Sequence, residues 1–457
     1  MKISKFSIFV DGYPEAHESL VFNTRTHALV KISSRFKDIL EKLEEANYQE
    51  LLPYEDKLIH LHKMGIVVLD EADDHERFER FIDRKKYGVD TKDFTVTLLT
   101  TYSCNFACTY CFEETTRGSG QKMTKETADI VMAWIKKRVK RYQVKQCTIN
   151  YYGGEPLLNQ PIMEYVSSHM QEWCYSQGVQ FRVNIQTNGA LFTPEFIDKH
   201  MQWGLESARI SLDGTKEVHD KQRPMRGTGG GTFDVVMKNL IPAVDKIKMS
   251  IAAGYDKSDT QGIVDLMDYL DSVGVLKKLD KFLYSPVHPT LGPKDHPEKL
   301  EGVSCMSNYE TDNLLSTSTA IKKAMEERGL SSKSGLSTSM CPLTREAGSP
   351  TIDTNGLIFK CNSMLGHPDL AVGDVREDEY NKKQQEFMAM EPFRDCDDDC
   401  AYKPLCNTGC RLFGFFKHGD FSAKSCTREY MDKFVPGAIK KEYELRMAAK
   451  QTSVQPA

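Results

Sequence analysis

Between residues 94 and 300, short apolar runs alternate with amphipathic stretches. Segments such as TADIVMAWIKKRVKRY carry apolar residues three and four positions apart, as helices do. The strand-like runs cover residues 95–102, 147–155, 181–189, 207–214, 248–255 and 281–288. Strands that alternate with helices predict a parallel sheet of βαβ units. The segment is short for a closed eight-unit barrel, so we predict an α/β fold built on a partial (β/α)6 TIM-type barrel. Its chemistry is expected at the C-terminal ends of the strands.

The first ninety residues have a different pattern and predict a separate unit at 1–90. Two short strand regions at Ser7–Asp11 and Leu20–Ile32 have a turn signal at Asn23–Thr24. Two amphipathic helical segments follow, then the apolar run IVVLD and a charged helix. Strands combined with helices in this way are typical of a winged-helix-like unit. Such a unit is either a peptide-docking module or a simple N-terminal cap, and the pattern alone fits both.

Beyond residue 300 the long periodic segments disappear. We expect a Ser-rich bridging region at 301–340 and a Cys-, Gly- and Asp-rich domain at 341–435. A helix and tail are expected at 436–457. The Cys-rich domain has few apolar side chains and therefore requires another form of crosslink to hold its shape.

Charge and hydropathy argue against nucleic-acid and membrane partners. The 457 residues include 60 basic and 65 acidic side chains, a formal net charge of −5. Without a long basic block, nucleic acid is not an expected partner. No apolar run approaches the roughly 18 residues of a membrane span, and no signal peptide is evident. We therefore expect a cytoplasmic protein without a membrane partner.

The thirteen cysteines point to metal chemistry. A reducing cytosol disfavours disulfides, so clustered cysteines there favour metal or iron–sulfur ligation. One group lies at 104–111 and a second in the last quarter of the chain. The three cysteines outside these groups are interpreted as small buried apolar residues: Cys147, Cys174 and Cys305.

The first group is CNFACTYC, which places Cys104, Cys108 and Cys111 directly after the first barrel strand. Thiolates select zinc, Cu(I) or iron–sulfur clusters, and a structural zinc site requires four ligands. Three thiolates on a four-iron cluster leave one iron open to a chelating small molecule. This CxxxCxxC spacing resembles the radical S-adenosylmethionine (SAM) enzymes. The resemblance implies that SAM binds the open iron and yields a 5′-deoxyadenosyl radical.

The resemblance also assigns residues near successive strand ends to SAM binding: Tyr110, Gly153, Gly154, Glu155, Gln186, Asn188, Ser211, Asp213 and Arg223. The Gly-Gly-Glu-Pro sequence that contains Glu155 is expected to receive the SAM ammonium group. Ser211 is expected to contact SAM, and Arg223 to bind its carboxylate through a bidentate fork. Tyr110 is expected to provide a backbone contact to adenine.

The second group resembles the SPASM extension of radical SAM enzymes, which holds two auxiliary [4Fe–4S] clusters. The resemblance assigns four cysteines to an outer cluster: Cys396, Cys400, Cys406 and Cys426. It assigns three to an inner cluster: Cys341, Cys361 and Cys410. The spacing departs from the usual pattern, with three residues rather than two between Cys396 and Cys400. Because no further cysteine lies between Cys341 and Cys361, we hypothesise an inner iron that can bind a substrate thiolate.

The three segments together resemble SPASM-domain maturases of ribosomally made peptides. The implied function is hydrogen abstraction from a precursor peptide and thioether formation to a cysteine. The implied cofactors are three [4Fe–4S] clusters and SAM, and the implied partners are a precursor peptide with a leader and a reductant such as flavodoxin or ferredoxin. Carbon–carbon crosslinking and the formylglycine-generating reaction of sulfatase maturation are alternatives. A multi-zinc scaffold is the non-enzymatic alternative. The catalytic base is not assigned.

Overall fold

The computed structural model describes residues 1–89, 92–111, 113, 120–255, 260–287, 311–330, 333–406 and 409–454. Cys305 and the boundary expected at 300/301 therefore lie outside the described residues. No helix of the described ranges is both long and apolar enough to span a bilayer.

The N-terminal unit contains two small antiparallel sheets and four helices. Its strands are β1 (Lys2–Ile3), β2 (Ser7–Asp11), β3 (Glu18–Asn23), β4 (Leu29–Ser33) and β5 (Val67–Val68). Its helices are α1 (Ser34–Glu41), α2 (Tyr48–Leu51), α3 (Glu55–Met64) and α4 (Glu71–Tyr87). The sheet order is β2-β3-β4, and β1 pairs with β5. The Ser33 hydroxyl caps α1 by accepting from the Phe36 N–H, and Gly65 ends α3 in the left-handed conformation.

Six parallel strands in chain order form the centre of the molecule and confirm the predicted partial barrel. They are β6 (Asp93–Leu99), β7 (Gln146–Tyr152), β8 (Gln180–Thr187), β9 (Leu205–Ser211), β10 (Lys248–Tyr255) and β11 (Lys281–Pro286). The helices between them are α5 (Lys125–Tyr142), α6 (Gln160–Ser176), α7 (Pro194–Met201), α8 (Lys216–Gln222), α9 (Phe233–Ala243) and α10 (Gln261–Ser272). Because right-handed crossovers all run in one direction, the helices cover one face of the sheet and leave the concave face open.

The Cys-rich region extends this same sheet. Strands β12 (Thr351–Ile352), β13 (Leu357–Phe359) and β14 (Gly373–Asp374) continue it beyond β6, and Thr351 pairs with Thr97. Ile352 and Phe359 are fully buried and belong to the central core. The region therefore has an apolar anchor in addition to its cysteines, which its composition did not indicate.

The remaining helices are α11 (Thr311–Glu327), α12 (Lys382–Met388), α13 (Lys403–Cys406), α14 (Arg411–His418) and α15 (Arg428–Val454). Helix α15 crosses the boundary that we expected at 435/436. Val435 and Ile439 of this helix are fully buried against Leu20 and Phe22 of the N-terminal sheet. The end of the chain thus packs on its beginning.

Candidate cofactor and substrate site

The first cysteine group lies in an ordered loop at the C-terminal end of β6. Cys104, Cys108 and Cys111 are half-buried, and none of the three forms a disulfide. Two isolated antiparallel bridges pin this part of the chain, one from Thr101 and one from the fully buried Phe106. The loop therefore presents its thiols from a fixed backbone.

Gly153 and Gly154 lie against this loop at the end of β7. A Cβ on Gly153 would lie 2.4 Å from the Thr101 carbonyl oxygen, and one on Gly154 would lie 2.4 Å from the carbonyl oxygens of Tyr102 and Ser103. The Gly154 N–H donates to the Thr101 carbonyl at 3.1 Å. Only glycine permits this approach, so the glycine pair seats the cysteine loop on the sheet.

Glu155 follows the glycine pair and is fully buried. Its carboxylate accepts hydrogen bonds from the Thr187 hydroxyl at 2.8 Å, the Asn188 N–H at 2.8 Å and the Leu157 N–H at 3.1 Å. Burial raises its pKa to about 7. In this structure Glu155 ties β7 to the end of β8, and its expected contact with the SAM ammonium group stays a prediction.

The two polar residues at the end of β8 have different environments. The Asn188 side chain donates to Asn105 at 2.8 Å and lies 3.8 Å from the Cys104 sulfur. Gln186 is half-buried and faces the open interior of the barrel. Asn188 is thus beside the cysteine loop, whereas Gln186 is available to a ligand.

Asp213, two residues after β9, joins several parts of the site. Its buried carboxylate accepts from Arg223 Nε at 2.7 Å and Nη2 at 3.3 Å, from the Gly254 N–H at 2.9 Å and from the Tyr110 hydroxyl. Arg223 Nη1 lies 3.8 Å from the Cys108 sulfur. The Arg223 fork is therefore engaged by Asp213. Asp213 occupies the Nε side of the guanidinium and leaves donors on Nη1 and Nη2, and the expected bidentate contact with the SAM carboxylate stays a prediction.

A buried histidine that the sequence did not single out supports this pair. His219 Nδ1 accepts from the Asp213 N–H at 3.2 Å, and its Nε2 lies 3.1 Å from the Thr232 hydroxyl oxygen. That hydroxyl donates to the Arg223 carbonyl at 2.7 Å. Burial lowers the pKa of His219 to about 4, so the ring is neutral and Nε2 carries the hydrogen. A single His on a helix gives no sequence signal for this role.

A cavity of about 550 Å³ opens between the strand ends and the Cys-rich region. Its walls include the assigned SAM-binding residues Tyr110, Gln186, Ser211 and Arg223. They also include Cys410 of the inner set. The structure thus brings the cofactor residues and an auxiliary cysteine to one space.

The cysteines of the second group lie in two places, and their assignment to an outer and an inner cluster stays a prediction. The four outer cysteines line one cavity of about 220 Å³, and Cys426 is exposed. Cys341 and Cys361 are inner cysteines whose thiol pKa values are raised first by burial and further by the neighbouring Cys410. Cys147 and Cys174 are fully buried in the core, as expected.

These donor sets fit iron–sulfur clusters better than single ions. Within the described ranges, no group of three or more Cys, His, Asp or Glu side chains converges on a position for one metal ion. Cysteines that form no disulfide and are grouped in a loop or around a cavity suit a larger group, and soft thiolates are the ligands of iron–sulfur clusters. The cysteine loop and the outer cavity both fit a [4Fe–4S] cluster in this respect.

Comparison with known proteins supports the same assignment. Residues 98–270 match the Radical SAM superfamily. A cysteine-type anaerobic sulfatase-maturating enzyme of Clostridium novyi is 25% identical over 217 residues, which cover 46% of this chain and 54% of the relative. The chain thus aligns with about half the length of that relative.

Two solved structures share the fold. The anSMEcpe structure with bound AdoMet and Kp18Cys peptide is 17% identical, with a TM-score of 0.61 over 77% of this chain and 99% of that one. SuiB of Streptococcus suis with S-adenosylmethionine is 14% identical, with a TM-score of 0.53 over 93% of this chain and 99% of that one. Residues 98–270 therefore form a domain that matches the Radical SAM superfamily, and the fold around it is shared with anSMEcpe and SuiB.

Proposed function

We propose that this protein cleaves SAM to modify a ribosomally made precursor peptide, and that it forms intramolecular thioether crosslinks to cysteine. The observation that carries the proposal is the cavity of about 550 Å³, because Arg223 and Cys410 line it together. A peptide in this space can present one residue to the cofactor site and a cysteine sulfur to the inner cysteine set.

The cofactors in this proposal are SAM and three [4Fe–4S] clusters. Cys104, Cys108 and Cys111 would hold the first, and the outer and inner sets would hold the two auxiliary clusters. When bound, SAM and the first cluster would supply a 5′-deoxyadenosyl radical that accepts one hydrogen atom from the peptide. The cysteine thiol would lose its proton to solvent, and the one electron left over as the carbon–sulfur bond forms would pass to an oxidised auxiliary cluster, so each crosslink removes two hydrogens from the peptide.

The protein's own residues position these partners. Asp213 fixes Arg223 and Tyr110 beside the cysteine loop, and neutral His219 holds the backbone of the same turn. Tyr152, at the end of β7, is electrostatically coupled to Glu113, Cys361 and Arg223, and burial is the largest cause of its raised pKa. With three cysteines in the inner set, a fourth position there is left for the substrate thiolate.

The N-terminal unit supports a peptide substrate. In the described part of this unit, β2 and β4 each pair only with β3, so both outer edges of the sheet can accept an added strand. An extended leader peptide can bind such an edge through backbone hydrogen bonds. SuiB covers 93% of this chain and anSMEcpe 77%, a difference comparable in length with the N-terminal unit. A structure of SuiB with its precursor peptide SuiA shares this fold.

Sulfatase maturation is the second candidate, favoured by the sequence match to the Clostridium novyi enzyme. That reaction would oxidise a cysteine or serine to formylglycine and leave no crosslink. A carbon–carbon crosslink also removes two hydrogens but leaves every cysteine thiol free for alkylation. The mass of the product and its number of alkylated thiols therefore separate the three reactions.

The test is anaerobic co-expression with a short Cys-containing open reading frame adjacent to the gene. We expect a peptide that is lighter by two hydrogens per crosslink and that lacks one alkylatable thiol for each. Cys410→Ala should abolish the crosslink while 5′-deoxyadenosine formation continues, and Cys174→Ala, in the buried core, is the matched control. Purified protein should contain about twelve iron ions, and Cys104, Cys108 and Cys111 changed together to Ala should remove about four. A peptide of unchanged mass, or a colourless zinc-loaded protein, would contradict the proposal.

A further inference from the structure

Arg209 is a charged residue on the concave face of the barrel sheet. It lies on β9 two residues before Ser211, so both side chains point to the concave face of the sheet. The intervening Ile210 is fully buried on the helix-covered face. Arg209 lines the site cavity together with Ser211, and it also lines a second cavity of about 340 Å³ inside the barrel.

The second cavity, which we call the lumen, continues below the SAM-binding level and has polar walls. Arg209 and Gln186 line both cavities, so the lumen adjoins the site cavity. Five neutral polar side chains on the strands form part of the remaining lumen wall: Thr97, Asn150, Asn184, Ser207 and Ser250. Asn184 hydrogen-bonds to two of these residues. Its side chain donates to Asn150 at 2.9 Å and accepts from the Ser207 hydroxyl at 2.6 Å.

The Arg209 guanidinium has no counter-charge in the described part of the chain. It is exposed to the cavity and makes no hydrogen bond or ion pair with a described residue. Its neighbours in register, Gln186 on β8 and Ser250 on β10, are both neutral. The acidic residue of the lumen wall, Asp280, pairs with Lys281 at 3.3 Å. Asp213, beside the cysteine loop, already forms an ion pair with Arg223.

The site therefore holds two arginines in different electrostatic states. Arg223 is neutralised by the buried Asp213 and lies beside the cysteine loop. Arg209 keeps its full charge and five donors on the concave face. A planar guanidinium with free donors matches a carboxylate through two parallel hydrogen bonds.

We propose that Arg209 binds a carboxylate of the substrate peptide in the lumen beneath the cofactor site. The proposal rests on the function proposed above and adds that the peptide carries a carboxylate close to the modified residue. The carboxylate is a Glu or Asp side chain or the C-terminal group. The carboxylate of SAM is the competing ligand, but Arg223 is the arginine beside the cysteine loop, whereas Arg209 lines the lumen as well as the site cavity.

Arginine labelling tests this on the anaerobically reconstituted holoenzyme. Phenylglyoxal modification of Arg209 is followed by peptide-mapping mass spectrometry. The probes are an acetylated, amidated pentapeptide with one Cys and one Glu, its Gln counterpart, and the Gln peptide with a free C-terminus. We expect a carboxylate-bearing peptide to slow Arg209 labelling at least tenfold, and the neutral peptide and SAM alone to leave it unchanged. Protection by the Glu peptide identifies a side-chain carboxylate, and protection by the free C-terminus identifies the terminal group.

Variants provide the second measurement. Arg209→Gln should weaken binding of the protecting peptide at least tenfold, and Arg209→Lys, which keeps the charge but loses the fork, should weaken it less. Arg182→Gln is the matched control, because Arg182 is in the same sheet but pairs with Glu206. Protection by SAM alone, equal protection by the neutral peptide, or no protection by any peptide overturns the proposal. Formation of 5′-deoxyadenosine by the wild type is measured separately and reports on the proposed function, so the two failures are distinguishable.

Discussion

The Asp213–Arg223 pair is the residue-scale feature on which the site most depends. The Asp213 side chain has no exposed surface, and that of Arg223 is 13% exposed. Removing one partner of such a pair leaves a buried charge without compensation, which costs about 3–5 kcal/mol. We therefore expect Asp213→Asn to lower the free energy of unfolding by about this amount in anaerobic urea denaturation. Glu206→Gln, which breaks an exposed pair with Lys248, should change it by less than about 1 kcal/mol. Equal effects of the two variants would contradict this interpretation.

Glu155 should make the stability pH-dependent. Its pKa is raised to about 7 in the folded protein, so the folded state binds a proton that the unfolded state has already released. Stability from this group is therefore full below the unfolded pKa of about 4.5 and is lost as the pH rises towards 7. We expect the melting temperature of the wild type to fall between pH 5 and 7.5 relative to Glu155→Gln, which cannot titrate. Parallel melting curves for the two proteins across this range would show that Glu155 is not the group responsible.

At the scale of elements, the contact between the end of β7 and the cysteine loop should decide whether the first cluster can assemble. Gly154→Ala places a Cβ 2.4 Å from two backbone carbonyl oxygens, which have no flexible side chain to move aside. We expect the variant to lose about four iron ions and its 5′-deoxyadenosine formation while retaining the auxiliary clusters. Gly437→Ala, on α15 with no atom within 4 Å of the added Cβ, is the control. Full iron content in Gly154→Ala would mean that the loop tolerates the shift.

Some elements of the fold can be predicted from the sequence, and others cannot. All six barrel strands are predicted, because each is a long apolar run between amphipathic helices. Strands β12 to β14 are missed, since two or three residues carry no periodicity. They become strands only by pairing: β12 with β6, β13 with β12 and β14 with β13. The Asp213–Arg223 pair is missed for a related reason, because the resemblance assigns each residue separately to SAM. Arg209 did leave a signal, an arginine between the apolar Ala208 and Ile210, but only the fold shows that it has no acidic partner among the described residues.

At the scale of the whole molecule, the N-terminal unit rests on the Cys-rich region. The Thr24 hydroxyl donates to the Ala401 carbonyl at 2.6 Å, one residue from the outer ligand candidate Cys400. Phe78 of α4 contacts Phe393 with their ring centroids 5.4 Å apart. Arg446 of α15 donates to the His27 carbonyl at 3.1 Å. If the N-terminal sheet binds a leader as we propose, these contacts fix the position of the leader relative to the outer cysteine set.

Helix α15 is the main apolar part of this junction, and the last prediction concerns it. Ile439 is fully buried against the N-terminal sheet, so Ile439→Asp would place an unpaired charge in that contact. We expect the N-terminal unit to detach and to become sensitive to limited proteolysis, with peptide crosslinking lost. SAM cleavage without peptide should persist, because the barrel and the cysteine loop do not contain this helix. Leu445→Asp, at a position 37% exposed on the same helix, should leave both properties unchanged. If Ile439→Asp crosslinks its peptide at the wild-type rate, leader binding does not require the N-terminal unit to be anchored on α15.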